Sequence, residues 1–186
     1  MLNRLDLRGV ADPRQVLPRP ATGGDAPRAA VQEILARVRA EGDAVLLELT
    51  ERFDGVRLAS VRVPAEEVAA ALEAVPPALR GALEAAEAAI RDFHEHQRRD
   101  DHTYRRGGVR IEGRFVPVDR AGLYVPGGRA AYPSTVLMTA VPASVAGVGE
   151  LALCVPPDRA TGAVPAATLA AAAVAGVDEV YAVGGA

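Results

Sequence analysis

Three histidines, His94, His96 and His102, stand among Glu95, Asp100 and Asp101, and such a set could ligate a divalent metal. On a helix, residues two apart point to different sides, whereas helical zinc pairs use spacings of three or four. The only cysteine, Cys154, is remote from them and sits in an apolar, strand-like run. The expectation is therefore a polar helix end, with no metal site inside this chain. Ser134 and Thr135 could serve as nucleophiles, but no histidine lies near them in sequence to activate them. A hydroxyl at a helix start commonly satisfies free backbone N–H groups instead. No catalytic set assembles from these residues.

Six arginines, Arg98, Arg99, Arg105, Arg106, Arg110 and Arg114, are interleaved with Tyr104 and Phe115, as on a nucleic-acid surface. Asp100, Asp101 and Glu112 interrupt the run and dilute its field, which favours a solvated or subunit-facing surface. The turn Pro126-Gly127-Gly128, just after Tyr124, can be read in two ways. Glycines lacking Cβ would let a dinucleotide or substrate approach the strand end, with Tyr124 offering a ring face or a hydroxyl. A tight strand-to-helix connection at positive φ would demand the same glycines. A glycine pair is a weak signal, the full GxGxxG fingerprint is absent, and spacing alone favours the structural reading.

Composition narrows the chemistry further. All 21 basic residues are arginine, so Schiff-base lysine chemistry and the lysine-dependent phosphate loop are both excluded. A net charge of −3 gives no bulk attraction to nucleic acid or membrane. One cysteine permits no intrachain disulfide and points to a reducing compartment, the cytoplasm. No amino-terminal secretory pattern is visible. The most apolar stretch, residues 162–177, is mostly alanine and is broken by Pro165, so it does not read as a membrane span.

These residues must be positioned by elements that the periodicity reveals. Residues 1–24 carry several prolines and no sustained period, and read as an extended arm. A helix starts at Asp25 with Val31, Ile34, Leu35 and Val38 at helical spacing, and stops at Gly42. A second starts at Asp43, with Leu46, Leu49 and Phe53 on its apolar face. Val61 and Val63 form a brief extended piece, and a helix follows from Pro64 with Val68, Leu72 and Val75. The longest helix runs from Pro77 to about Gln97, striped by Leu79, Leu83, Ala86, Ile90 and Phe93. Val109 to Glu112 alternates as a strand, Gly113 offers a turn, and Phe115 to Val118 reads as a second strand.

Beyond about residue 119 the texture changes. Strands at Leu123–Val125, Leu151–Val155 and Glu179–Val183 alternate with helices at Ser134–Ala146, kinked at Pro142, and Pro165–Ala175. This is a βαβαβ unit, the signature of a parallel sheet. The third strand runs into Gly184-Gly185-Ala186 with no helix after it. In doubly wound sheets that turn feeds a helix whose amino terminus can hold phosphate, so the chain reads as a fragment.

Val38-Arg39, Gly42-Asp43, Phe53-Asp54 and Phe93-His94 are followed along the chain by Gly122–Gly128 and Tyr132–Met138. Pro142-Ala143, Val145–Gly147, Val180-Tyr181 and Val183–Ala186 complete an ordered series, which covers nearly everything after residue 20. In that order these motifs resemble the histidinol dehydrogenase family. The resemblance implies an α/β fold with two Rossmann-like domains: 1–24 a dimer-forming arm, 25–119 the first part of one domain, and 120–186 the opening half of the NAD-binding one. It also implies a cytoplasmic, zinc-containing homodimer that oxidises L-histidinol through the aldehyde to L-histidine with NAD.

On that template Tyr124 is the one cofactor contact in this sequence. The catalytic residues, the zinc ligands and a further NAD-contacting glutamine are expected beyond Ala186. The chain alone is then expected to be inactive. The competing reading is a free-standing nucleotide-binding or interaction module without the chemistry.

Overall fold

The computed structural model describes residues 4–18, 25–127 and 130–185. It divides into two compact units, Met1–Ala36 and Arg37–Ala186. The expected arm lies partly outside the described residues. Its described part is irregular apart from one 3-10 turn at Pro13–Gln15, where Asp12 accepts the Arg14 N–H. The first helix, α1 (Asp25–Glu41), begins where the periodicity placed it. Its apolar stripe is only partly buried, with Val31 54% and Leu35 48% exposed.

In the second unit, α2 (Asp43–Asp54) follows directly after Gly42, whose φ of 63° is accessible to glycine and strained for other residues. That single residue turns one helix into the next. The α2 core positions are Val45, Leu49 and Thr50; of the expected face Leu46, Leu49 and Phe53, Leu49 is buried, Leu46 is half-buried and Phe53 is exposed. Next come β1 (Arg62–Val63), α3 (Ala65–Ala74) and α4 (Pro77–Glu95). Prolines at 64 and 76 cap α3 and α4 because a helix start needs no donor there. The buried face of α4 passes through Leu83, with Leu79 and Ile90 packed beside it. Phe93 sits roughly a quarter turn away at 3.6 residues per turn, and is 60% exposed.

The Arg-rich stretch forms a hairpin that periodicity did not reveal. Strand β2 (His102–Arg106) pairs antiparallel with β3 (Val109–Gly113). The two-residue connection Gly107-Gly108 has both φ positive, at 57° and 81°, as a twist-matched hairpin turn requires. The expected second strand, Phe115–Val118, does not form. Pro117 has no N–H to give a ladder, and the Phe115 N–H goes to Asp101 Oδ1 at 2.8 Å. His102 lies in β2 rather than at the helix end.

The remaining elements are β4 (Arg120–Tyr124), α5 (Pro133–Val145), β5 (Glu150–Cys154), α6 (Ala166–Val174) and β6 (Glu179–Tyr181). The sheet order is β1-β6-β5-β4, with β4, β5 and β6 mutually parallel and β1 antiparallel on the edge. This is the expected βαβαβ unit, extended by one strand from earlier in the chain. Leu123, Leu153 and Val180 stand in register across it. Their face packs into one core with α3, α5 and α6. The opposite face carries a polar ladder: Arg120 pairs with Glu150 at 3.0 Å and with Glu179, and Arg62 reaches Glu179 at 3.4 Å. Pro142 lies inside α5 and cannot bond the Met138 carbonyl, which is tolerable because Met138 is 64% exposed. Among the described residues, no helix is long and apolar enough to cross a membrane.

Candidate functional site

Parallel strands deliver their carboxyl ends to one edge of a sheet, and ligands of open α/β folds bind in the crevice there. In this chain that edge holds a cleft of 790 Å³, bordered by Tyr124, Gly127, Pro156, Arg159, Thr168 and Gly184 among others. Tyr124 ends β4 beside Cys154 in the register. It is 53% exposed, so its ring is available to a ligand. The turn after β5 is braced from inside: Asp158 Oδ1 accepts the N–H groups of Ala160 and Thr161 at 2.9 and 3.0 Å. Arg159 Nη2 donates to the Phe53 carbonyl at 2.9 Å, fastening this turn to the end of α2. The Gly185 N–H approaches Asp54 Oδ2 at 3.4 Å, so the turn after β6 is held to the same helix end.

The glycine turn after Tyr124 owes its composition to packing. Gly127 is not among the residues with positive φ, so the expected conformational requirement does not apply to it. A Cβ there would instead collide with the Pro156 ring. Gly184 faces the same proline from the β6 side. Gly128 and Ala186 lie outside the described residues. Two glycines thus let the three strand-end turns converge around one proline.

The other expected sites fall elsewhere. Ser134 and Thr135 do not cap α5: Tyr132 holds the cap position, no side chain bonds there, and the two hydroxyls sit inside the first turn. The His96 ring nitrogen Nδ1 lies 2.6 Å from the Asp92 carbonyl, and His102 packs against Gly113 and Phe115. Among the described residues, no three His, Cys, Asp or Glu side chains gather as a metal site would require. The described residues do not fit a zinc ion.

Asp54 entered from sequence only within the motif Phe53-Asp54, and Arg159 and Thr168 in the cleft were not singled out. The available signals were a Pro-Pro-Asp-Arg turn and a lone hydroxyl in an otherwise apolar helix.

Cys154, at the end of β5, has its thiol pushed above the ordinary value, first by burial and then by the Glu179 carboxylate. The folded form therefore disfavours the thiolate. Its contribution to stability is complete below the unfolded pKa and is lost as pH rises through the folded one. At pH 8.5 iodoacetamide is expected to label Cys154 more slowly in the native chain than in urea, by mass spectrometry. Equal rates would contradict this environment.

Comparison with known proteins bears directly on this cleft. The sequence model of the histidinol dehydrogenase family matches residues 17–186, nearly the whole chain. This chain belongs to the histidinol dehydrogenase family. It is 52% identical over 190 residues to histidinol dehydrogenase of Thermobifida fusca, covering 100% of this chain and 43% of that protein. It is 49% identical over 193 residues to histidinol dehydrogenase of Streptomyces avermitilis, covering 100% of this chain and 44% of the relative. The crystal structure of histidinol dehydrogenase from Elizabethkingia anophelis superposes with a TM-score of 0.82 at 31% identity, over 92% of this chain and 40% of that one. The chain thus spans under half the length of the histidinol dehydrogenases it matches. Its α/β fold, with a Rossmann-like parallel sheet, is that of the family.

Proposed function

We propose that this chain supplies the opening of the NAD-binding domain of a histidinol dehydrogenase, with residues 120–186 forming that part. In this reading 25–119 begins the companion domain and 1–24 is a dimer-forming arm. The observation that carries the proposal is the cleft at the carboxyl ends of β4, β5 and β6, with the half-exposed Tyr124 ring at its border. Membership of the family supports the substrate class, L-histidinol, and the setting, a cytoplasmic homodimer. NAD, when bound, supplies the hydride acceptor. Tyr124 would present its ring to one end of the dinucleotide, and the braced turns at Asp158 and Gly185 would hold the cleft's walls open around it. The zinc, substrate and proton-transfer residues of the family would come from outside this chain, so no chemical step is assigned to it.

The test is calorimetric titration of NAD⁺ into the purified chain. Measurable binding is expected, weakened about tenfold in Tyr124→Ala, the usual effect of losing an aromatic platform under a base. Tyr124→Phe should retain most of it. A folded chain that binds no NAD⁺ would overturn the proposal. With L-histidinol, NAD⁺ and Zn²⁺ no turnover is expected. Turnover at an ordinary enzymatic rate would place a full catalytic set within these residues, against this reading.

A further inference from the structure

Helix α2 ends beside the strand-end cleft, with Gly55 as its cap. Asp54 is the one residue from before β4 on the cleft's described border. Two of the three strand-end turns are tied to this helix end by separate contacts. In the turn after β5, Arg159 Nη2 donates to the Phe53 carbonyl at 2.9 Å. In the turn after β6, the Gly185 N–H reaches Asp54 Oδ2 at 3.4 Å. Gly185 also lies so close to Phe53 that an added Cβ would stand 2.5 Å from Phe53 Cβ.

An arginine on the border of a cleft for an anionic ligand would ordinarily be read as a phosphate contact. The contacts of Arg159 point the other way. The last carbonyls of a helix lack an intrahelical donor and carry the negative end of its dipole, so a guanidinium there answers both. Gly55 closes α2 in the left-handed conformation, at φ 72°. Arg159 passes beside it, with Nε 3.9 Å from where a Cβ on Gly55 would stand. Asp54 is a carboxylate on the same cleft and would repel an anionic ligand. Its partner there is the Gly185 N–H.

We infer that Arg159 and Asp54 are positioning residues for the cofactor cleft. They hold the turns after β5 and β6 on the end of α2, and neither bonds the cofactor. A ligand bound between turns that are already ordered loses less conformational freedom on binding, so the two contacts raise affinity without touching it. The inference rests on the NAD reading above. It assigns the spacing of two cleft walls to a helix outside the parallel strands and their connections.

The experiment measures NAD⁺ binding to the full chain by calorimetry, at low salt and at about 1 M salt, where the Debye length is about 3 Å. Asp54→Ala removes a negative charge from beside an anionic ligand, which by charge alone would strengthen binding. The positioning role requires the opposite sign: binding about threefold weaker, the effect of one modest hydrogen bond. Asp54→Asn keeps an acceptor for the Gly185 N–H and should restore most of the affinity. Arg159→Met keeps the aliphatic stem and loses the donors. Relative to the parent it should bind about threefold more weakly at both salt levels, because the lost contact lies within the protein. Arg159 is exposed and Asp54 half-buried, so thermal melts should stay close to the parent's. If Asp54→Ala proves unfolded, the salt comparison of Arg159→Met decides by itself.

A folded Asp54→Ala that binds NAD⁺ as tightly as the parent, or more tightly, overturns the inference. So does an Arg159→Met that binds like the parent. A loss in Arg159→Met that is present at low salt and vanishes at high salt would make the guanidinium a phosphate contact, and overturns it too. In each case the NAD reading stands as long as Tyr124→Ala weakens binding. A folded parent chain that binds no NAD⁺ removes this inference together with the proposed function.

Discussion

Gly184→Ala is expected to destabilise the chain by about 3 kcal/mol, at the upper end of ordinary overpacking. In a melt this is a fall of about 8 °C for a chain of this size. The added Cβ would lie inside van der Waals contact of Pro156 Cβ, 2.8 Å from its Cγ and 3.0 Å from its backbone Cα. A proline ring cannot swing away, and its Cα belongs to the chain that closes the cleft. Gly127→Ala meets the ring differently: its clash is with Cγ, and the next atoms are at 3.2 and 3.5 Å.

The two variants therefore respond differently to Pro156→Ala, which removes Cγ and keeps Cβ and Cα. Gly127→Ala should be largely rescued in the double mutant, whereas Gly184→Ala should not be. A melting temperature for Gly184→Ala within about 2 °C of the parent would mean that the turn yields freely. The convergence of three strand ends on Pro156 would then not be what requires a glycine.

Leu153→Ala should cost about 3 kcal/mol in a denaturant titration, the middle of the range for deleting a fully buried leucine. Leu153 is 0% exposed on the interior strand β5, with Leu123 opposite on β4 and Val180 on β6. Both neighbours are fixed by backbone pairing, so the void cannot close by moving one side chain. Leu123→Ala, on the edge strand and only partly buried, should cost less than half as much. Because β5 leads directly into the turn at Pro156, loosening of the core is expected to weaken the proposed NAD⁺ binding as well. A Leu153→Ala loss below about 1 kcal/mol would contradict a packed central strand.

Much of the secondary structure was legible because local chemistry determines it. Pro64, Pro77 and Pro165 mark helix starts, Gly42 ends α1, and the apolar runs around Leu123, Leu153 and Val180 are strands buried in a parallel sheet. The motif order identified the family, and the family model matches the same residues. Strand β2 was not legible, since its exposed arginines give no alternation. Only the Gly107-Gly108 pair hinted at its turn. Which side of a helix is buried was also misjudged at Phe53 and Phe93. Hydrophobicity marks a stripe, but the neighbouring element decides how much of it is covered.

The sequence by itself therefore determined most of the elements and the family, because caps, breakers and periodicity act over a few residues. Only the tertiary structure decided the cleft. It brought Asp54 from α2, Arg159 from the turn after β5, Thr168 from α6 and Gly184 from beyond β6 beside Tyr124, residues separated in sequence by up to 130 positions (Asp54 to Gly184). It also showed that Gly127 answers to Pro156 rather than to a φ requirement. Parallel pairing sends consecutive strand ends to one edge, and that assembly has no local signature in the residues it unites.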